Sequence, residues 1–165
     1  MKRYTAVNTY IEKTLMVFCL LLLLAMVVST SLQVISRYLF PYPISWTEEM
    51  SRRMMSWLLF IASPIAYRKG AQVGVDLFVS ALSKAWKKYI HIFVHSLIAV
   101  FSVVMIHQGL IFALKSAKQI SSAINISMRT VYLIIPFSGL MILLFAIEYV
   151  GIAITGNEPE KELPL

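Results

Sequence analysis

Residues 33–57 read QVISRYLF, PYPI and SWTEEMSRRMMSW in turn, and this stretch joins the first two apolar segments of the chain. Ser45 is a favourable helix N-cap, and Glu48 three residues later completes a capping box, so we predict a helix that starts at Ser45. Glu48 and Glu49 each have an arginine four residues later, the order of charges that best supports a helix. These charges lie in the first two turns, and the residues after them are mostly apolar as far as Ala66. Arg68 and Gly70 then supply a basic last turn and a C-terminal glycine, which predict the end of the helix.

The apolar part of this helix, residues 54–66, is too short to cross a bilayer alone, because a bilayer core takes about 20 residues of helix. Its charged turns must therefore lie in the headgroup zone or be buried against protein. Arg37, Arg52 and Arg53 are then either interfacial anchors that reach lipid phosphates or part of a polar docking seam for another membrane protein. The pattern alone favours the anchors and leaves the seam open.

The composition indicates an all-α integral membrane protein. Of 165 residues, 59% are hydrophobic and 14% are charged, and the mean hydropathy is +0.76, which is unlike a soluble domain. The formal charge of +7 does not indicate nucleic-acid binding, because the lysines and arginines lie at the ends of apolar segments, where topology and anionic lipids account for them. Cys19 is the only cysteine, so the chain alone forms no disulfide and no cysteine-based metal site.

We predict one membrane domain over residues 1–165, with four transmembrane helices plus one interfacial amphipathic helix. The apolar run at 15–35 is longer than a signal-peptide core, so we interpret it as an uncleaved first span. Between Asp76 and Tyr89 one helix face is apolar and the other carries serines and lysines, which is typical of a helix lying flat on the membrane. The predicted spans lie at about 14–36, 45–67, 89–114 and 129–154, the interfacial helix at about 76–88 and a polar tail at 156–165.

Polar and small residues within the spans indicate helix contacts. The first span ends in a polar patch suited to contact with another helix, formed by Ser29, Thr30, Ser31 and Gln33. In the fourth span, Pro136 and Gly139 allow a kink or a close helix contact.

Four spans place both termini on the same side of the membrane. Nine of the 15 lysines and arginines then fall on that side, so the positive-inside rule favours cytoplasmic termini. The boundary at residues 33–53 faces outward in this topology. The basic side of the interfacial helix, with Lys84, Lys87 and Lys88, then contacts lipid headgroups.

The pattern gives no support for an enzyme, an ATPase or a complete transporter. No nucleophile, base and orienting group can be assembled, and the sequence has no Gly-x-x-x-x-Gly-Lys phosphate loop. His91, His95 and His107 lie on one predicted helix and cannot supply opposite axial ligands to one haem in a monomer, so we interpret them as hydrogen-bonded or interfacial. The acids fall near predicted span ends, and the two halves show no repeat. By elimination, the residues indicate a small membrane subunit that serves a larger partner.

Short motifs follow one another along nearly the whole chain. They are Arg37-Tyr38 with Phe40, Trp46 with Glu48-Glu49 and Trp57, Gly70 with Val73, Val75 and Asp76, and Tyr132 with Pro136 and Gly139. In this order and spacing they resemble the DctQ-like small membrane subunit of tripartite ATP-independent periplasmic (TRAP) transporters. Two places depart from the family pattern, since Gln72 stands where histidine is common and Met128-Arg129 where an aromatic residue is common.

The resemblance implies a heterodimer with a large transmembrane subunit that carries the substrate and sodium sites and moves as an elevator. This chain would be a fixed scaffold in the bacterial inner membrane, without a cofactor or a metal, and a periplasmic substrate-binding protein would deliver an organic acid of the sialic acid or C4-dicarboxylate class. The residues expected to hold the partner or the outer boundary are Gln33, Arg37, Trp46, Glu48, Glu49, Arg52, Trp57, Pro136 and Gly139. Our hypothesis is that Arg37 and Glu49 form one polar cluster, directly or through a lipid phosphate. An autonomous small transporter and a haem- or redox-type membrane anchor subunit stay open as alternatives.

Overall fold

The structure, a computed structural model, describes residues 2–39, 45–70, 84–121 and 126–155. The regular elements in these ranges are α1 (Lys2–Leu39), α2 (Ser45–Arg68), α3 (Lys84–Lys115), a 3₁₀ turn (Ser116–Lys118), α4 (Met128–Tyr132) and α5 (Ile134–Thr155). Among these residues the β pairing is limited to an isolated antiparallel bridge between Ile120 and Ser127. The predicted all-α fold class is therefore confirmed for the described part of the chain.

Three described segments are long and apolar enough to cross a membrane, namely Tyr4–Leu39, Lys88–Lys118 and Met128–Ile154. The predicted first, third and fourth spans fall within them. α2 is not among them, because its 24 residues include two glutamates and three arginines. At 1.5 Å per residue α2 is nevertheless about 36 Å long, which exceeds the hydrocarbon thickness of about 30 Å.

Two predicted elements fall wholly or partly outside the described residues. The polar tail at 156–165 lies outside them, and so do residues 76–83 of the predicted interfacial helix. The remaining residues of that helix, 84–88, form the beginning of α3.

α2 begins at Ser45, as predicted, and ends in a tight turn at Gly70. Gly70 has a φ of 84°, a left-handed conformation that glycine adopts without a Cβ clash. The N–H groups of Lys69 and Gly70 donate to the carbonyl oxygens of Ile65 and Tyr67 at 2.9 and 3.4 Å. These bonds satisfy carbonyl groups that the last helical turn leaves without partners.

α5 is the central helix of the bundle. It packs along α3 and against α2, while α1 lies along α2 and reaches α5 over a shorter contact. Consecutive long helices run antiparallel, so α2 and α5 are parallel to each other. The hydrophobic core contains Leu15, Ile61, Ile65, Ile134, Met141 and Phe145. We call the end where α1 and α3 start the near end, and the opposite end the far end.

The contact between α3 and α5 is close because a glycine lies on each side of it. A Cβ added to Gly109 would lie 2.9 Å from Cδ of Pro136. One added to Gly139 would lie 3.0 Å from Cγ1 of Ile106 and 3.2 Å from the carbonyl oxygen of Ser102. A larger side chain at either position would push the two helices apart. The close helix contact expected at Gly139 is therefore present.

A proline inside α2 leaves a carbonyl group that α5 satisfies. Pro64 has no N–H, so the carbonyl oxygen of Phe60 lacks its usual helical donor four residues later. The hydroxyl of Ser138 on α5 donates to this oxygen at 2.6 Å, and Ser138 is 0% exposed. The interhelical bond replaces the missing helical one and holds α5 against α2.

We expect Ser138→Ala to lower the free energy of unfolding by about 1–2 kcal/mol, because the Phe60 carbonyl would be buried without a donor. In a Pro64→Ala background the same change should cost much less, since residue 64 then supplies its own N–H to Phe60. A double-mutant cycle on the purified chain, unfolded in SDS and followed by circular dichroism, measures this coupling. Equal losses in both backgrounds would contradict the assigned role of Ser138.

Candidate functional site

A buried charged cluster lies at the near end and joins α1, α2 and α5. The side chain of Arg68 is 10% exposed, and it faces Glu148 at 6% and Glu12 at 18%. Arg68 Nη2 lies 3.6 Å from Glu148 Oε1, and Arg68 Nε lies 3.4 Å from Glu12 Oε2. Asn8 Nδ2 donates to Glu148 Oε2 at 2.7 Å, and Arg68 Nη2 donates to Thr9 Oγ1 at 2.9 Å. We call this group the Arg68 cluster.

The local sequence places these groups at one level of the bundle. Asn8 and Glu12 are one turn apart on α1 and so share a face. Arg68 is the last residue of α2, where a cation complements the partial negative charge of the helix end. A charge buried alone in an apolar bundle is strongly unfavourable, so the carboxylates and the guanidinium depend on one another. The cluster therefore fixes the start of α1 against the ends of α2 and α5.

Aromatic side chains extend the cluster to α3. The Tyr149 hydroxyl donates to the carbonyl oxygen of Arg68 at 2.5 Å, and its ring stacks on His95 with centroids 4.9 Å apart. The Tyr67 hydroxyl lies 2.8 Å from Nδ1 of His95, whose side chain is buried. His95 is thus hydrogen-bonded, as interpreted from the sequence. In the described ranges no three His, Cys, Asp or Glu side chains are grouped to hold a metal ion.

The sequence prediction did not include the Arg68 cluster. It placed Arg68 in a basic last turn and Glu148 near a span end, so the helix ends alone accounted for both charges. The available signal was that Glu148 is the only charged residue between Arg129 and Thr155. A lone carboxylate in an apolar helix requires a cationic partner at the same depth.

A second buried ion pair lies at the far end. Glu49 pairs with Arg53 on α2 and accepts a hydrogen bond from the hydroxyl of Ser121, which follows the 3₁₀ turn. The Glu49 and Arg53 side chains are 21% and 12% exposed. In the other i,i+4 pair, Arg52 Nη2 lies 2.8 Å from Glu48 Oε1, and the Glu48 and Arg52 side chains are 62% and 75% exposed. Both predicted i,i+4 pairs are present, and packing against Ser121 distinguishes the buried pair from the exposed one.

Other predicted boundary residues lie at the surface of the far end. Arg37 is exposed on α1, Trp46 is 48% exposed at the start of α2, and Gln33 is half-buried. The structure gives Glu49 a guanidinium partner on its own helix. The hypothesis that Arg37 joins Glu49, directly or through a lipid phosphate, stays a prediction.

Hydroxyl side chains connect α1 to α2 near this end. Ser29 Oγ donates to the carbonyl oxygen of Thr47 at 3.3 Å, and Ser51 Oγ donates to Ser29 Oγ at 3.1 Å. Ser29 and Thr47 are both buried. Ser29 of the predicted polar patch is therefore buried against α2, whereas Thr30 and Ser31 of the same patch are exposed.

Three further predicted site residues make contacts within the chain. The indole Nε1 of half-buried Trp57 donates to the carbonyl oxygen of Val131 in α4 at 3.2 Å. Pro136 and Gly139 are buried where α5 meets α3. Pro136 lies in the first turn of α5, where a missing N–H is tolerated.

The three lysines predicted at lipid headgroups all lie at the start of α3. Among Lys84, Lys87 and Lys88, the structure describes the side chain of Lys88 alone. It is exposed, and its Nζ donates to the carbonyl oxygen of Ile154 at 3.0 Å. A lysine there complements the partial negative charge at the end of α5. The headgroup contact of all three lysines stays a prediction.

Known proteins similar to this chain are membrane transport components. The family model described as tripartite ATP-independent periplasmic transporters, DctQ component, matches residues 26–153. A Haemophilus influenzae (strain Rd) protein named as a TRAP transporter small permease protein is 36% identical over 73 residues, which are 44% of this chain and 45% of that protein. The sialic acid TRAP transporter permease protein SiaT of Haemophilus influenzae (strain 86-028NP) is 27% identical over 78 residues, 47% of this chain and 13% of SiaT. The matches cover less than half of each relative.

The family match extends from α1 to α5 and includes the Glu49 and Arg53 pair. It also includes Arg68 and Glu148, while the α1 members of the Arg68 cluster precede it. A match over this much of the chain confirms the resemblance seen in the sequence motifs, and the family is a transport component and not an enzyme. The chain therefore belongs to the DctQ family, the small membrane component of TRAP transporters.

Proposed function

We propose that this chain is the small scaffold subunit of a TRAP transporter and binds a large transmembrane permease subunit as a heterodimer. The observation that carries the proposal is the match to SiaT, because 78 matched residues are only 13% of that permease. A segment similar to this chain is thus part of a much longer permease polypeptide. A separate small chain would have to bind the corresponding large part non-covalently.

The helix dimensions support insertion across a membrane. On α1, Tyr10 and Tyr38 are 75% and 84% exposed, and the stretch between them measures about 42 Å. On α3, the stretch from Lys88 to Lys115 measures about 40 Å. Both lengths agree with the roughly 40–45 Å of a bilayer with its headgroup regions, where tyrosine and lysine side chains are favoured.

α2 is the fourth membrane-crossing helix in this proposal. It packs against both α1 and α5, and from Trp46 to Arg68 it is about 33 Å long. Its charged side chains form ion pairs near its two ends, where the headgroups or neighbouring helices surround them. The turns between these ends are mostly apolar and suit the bilayer interior.

Four spans place both termini on one side, and the distribution of lysines and arginines favours the cytoplasm. We therefore place the chain in the bacterial inner membrane with the far end, including Arg37, Trp46 and Arg52, toward the periplasm. The interfacial helix predicted at 76–88 would lie on the cytoplasmic surface. A periplasmic substrate-binding protein would deliver the solute on the far side.

The packing supports a static scaffold. The Arg68 cluster joins α1, α2 and α5, the Ser138 bond joins α2 and α5, and the glycine contacts join α5 and α3. Sliding of any one helix would break at least one of these contacts, because close-packed interfaces do not deform continuously. The large subunit would carry the substrate and sodium sites and move as an elevator against this fixed part. The similarity to SiaT favours sialic acid over a C4-dicarboxylate as the solute.

Purification of the chain from its native membrane in mild detergent, through a C-terminal tag, tests the proposal. We expect a large hydrophobic protein to co-purify at one-to-one stoichiometry, and Arg37→Ala to lower its yield and solute uptake, because Arg37 is an exposed cation at the far boundary. Val34→Ala is the matched control, since Val34 is 51% exposed one turn away on α1. A wild-type chain that purified alone and transported solute alone in vesicles would instead be an autonomous transporter.

A further inference from the structure

The face of α3 that points away from α5 is exposed over most of its length. Its exposed apolar residues recur every three to four positions: Phe93, Leu97, Val100 and Val104, each more than half exposed. His107 and Gln108 continue this face toward the far end and are also exposed. The outward face therefore changes from apolar to polar within the helix.

Gln108 lies at membrane depth. It is about 10 Å along α3 from Lys115 toward the centre of the helix. A hydrocarbon layer of about 30 Å centred between Lys88 and Lys115 would begin about 5 Å from Lys115. A primary amide exposed to acyl chains there has no hydrogen-bond partner, which is unfavourable. A polar group from another protein segment that hydrogen-bonds to the Gln108 amide would remove this free-energy cost.

A surface hollow of about 370 Å³ opens beside Gln108, where α3 meets the start of α5. Phe112, Lys115 and Ile135 line it together with Gln108 and Gly109. Gly109 has no side chain, so nothing from this position fills the hollow. The hollow is large enough to accept a bulky side chain from a partner.

The charge at the hollow also has no ion-pair partner among the residues that the structure describes. Lys115 is exposed and makes no ion pair with the described residues. Residues 116–147 contain no aspartate or glutamate, and neither does α3. Lys115 lies at the level of the headgroups, where it can also meet lipid phosphates. A second copy of this chain packed in parallel through α3 would bring lysine against lysine, so a carboxylate that pairs with Lys115 at a protein contact would come from a different protein.

We infer that this face of α3 is the docking surface for a transmembrane helix of the large permease subunit. The partner's helix places a side chain in the hollow. It also accepts a hydrogen bond from Gln108 and presents a carboxylate to Lys115. The inference rests on the proposed function, because it requires a large subunit. Beyond the proposed function, the inference identifies α3 as the helix that faces the large subunit. It also specifies the polar and acidic groups that the contacting segment of that subunit carries.

Photo-crosslinking in the full complex tests the assignment. Benzoylphenylalanine is introduced at Val104 on the outward face of α3 or at Leu24 on the outward face of α1, which are 52% and 62% exposed. We expect irradiated native membranes to give an adduct of this chain with the large subunit from position 104 and none from position 24. Gln108→Leu is expected to lower the co-purified large subunit about three- to tenfold, the usual effect of an interhelical hydrogen bond. Val17→Leu, on the outward face of α1 and 57% exposed in the wild type, should leave it unchanged.

The outcomes separate this inference from the proposed function. If the large subunit co-purifies but crosslinks from position 24 and not from position 104, the α3 assignment is wrong and the scaffold function stands. Crosslinks from position 104 that join two copies of this chain, or that contain lipid alone, also overturn the assignment. If the wild-type chain brings down no large protein, the proposed function itself fails.

Discussion

Arg68→Ala is expected to lower the free energy of unfolding by about 3–5 kcal/mol, the usual cost of removing one side of a buried ion pair. The change leaves Glu12 and Glu148 at the near end without their cation. Asn8 would still donate to Glu148, at 2.7 Å in the wild type, but a neutral amide does not compensate a buried charge. SDS unfolding of the purified chain, followed by circular dichroism, measures the loss.

Arg52→Ala is the matched control, because it removes the same residue type from the same helix. Its pair with Glu48 is 75% and 62% exposed, so we expect a loss below about 1 kcal/mol. A triple variant, Arg68→Met with Glu12→Gln and Glu148→Gln, should recover much of the stability, since it leaves no buried charge unpaired. Similar losses for Arg68→Ala and Arg52→Ala would show that the Arg68 cluster does not stabilise the bundle.

The sequence predicts α2 well because its signals are local. The start at Ser45, the i,i+4 pairs and the end at Gly70 all depend on residues within a few positions of one another. The pattern treats the Glu48 and Glu49 pairs alike. The two pairs differ through tertiary contacts, since Ser121, 72 residues after Glu49, donates to the buried pair, while the other pair stays exposed.

The Arg68 cluster could not be predicted in the same way. Asn8 and Glu148 are 140 residues apart, so their contact depends on the register of three helices and not on any local pattern. The hydrogen bond from Ser138 could be predicted in part, because Pro64 alone shows that the Phe60 carbonyl needs a donor. The sequence does not say which neighbouring helix supplies that donor.

Gly139→Leu is expected to force α3 away from α5 and to lower the free energy of unfolding by about 3 kcal/mol, the upper end for overpacking. The new Cβ would lie 3.2 Å from the carbonyl oxygen of Ser102, and this part of the backbone cannot rotate aside. Gly139→Ala should cost less, because only its Cβ meets α3. Ser63→Leu is the control, since Ser63 is exposed on α2 and the added side chain meets no neighbour. If SDS unfolding found Gly139→Leu as stable as Ser63→Leu, α3 and α5 would not be in the contact described. If the order is as expected, Gly139→Leu should also distort the hollow beside Gln108 and reduce binding of the large subunit, which Ser63→Leu should not.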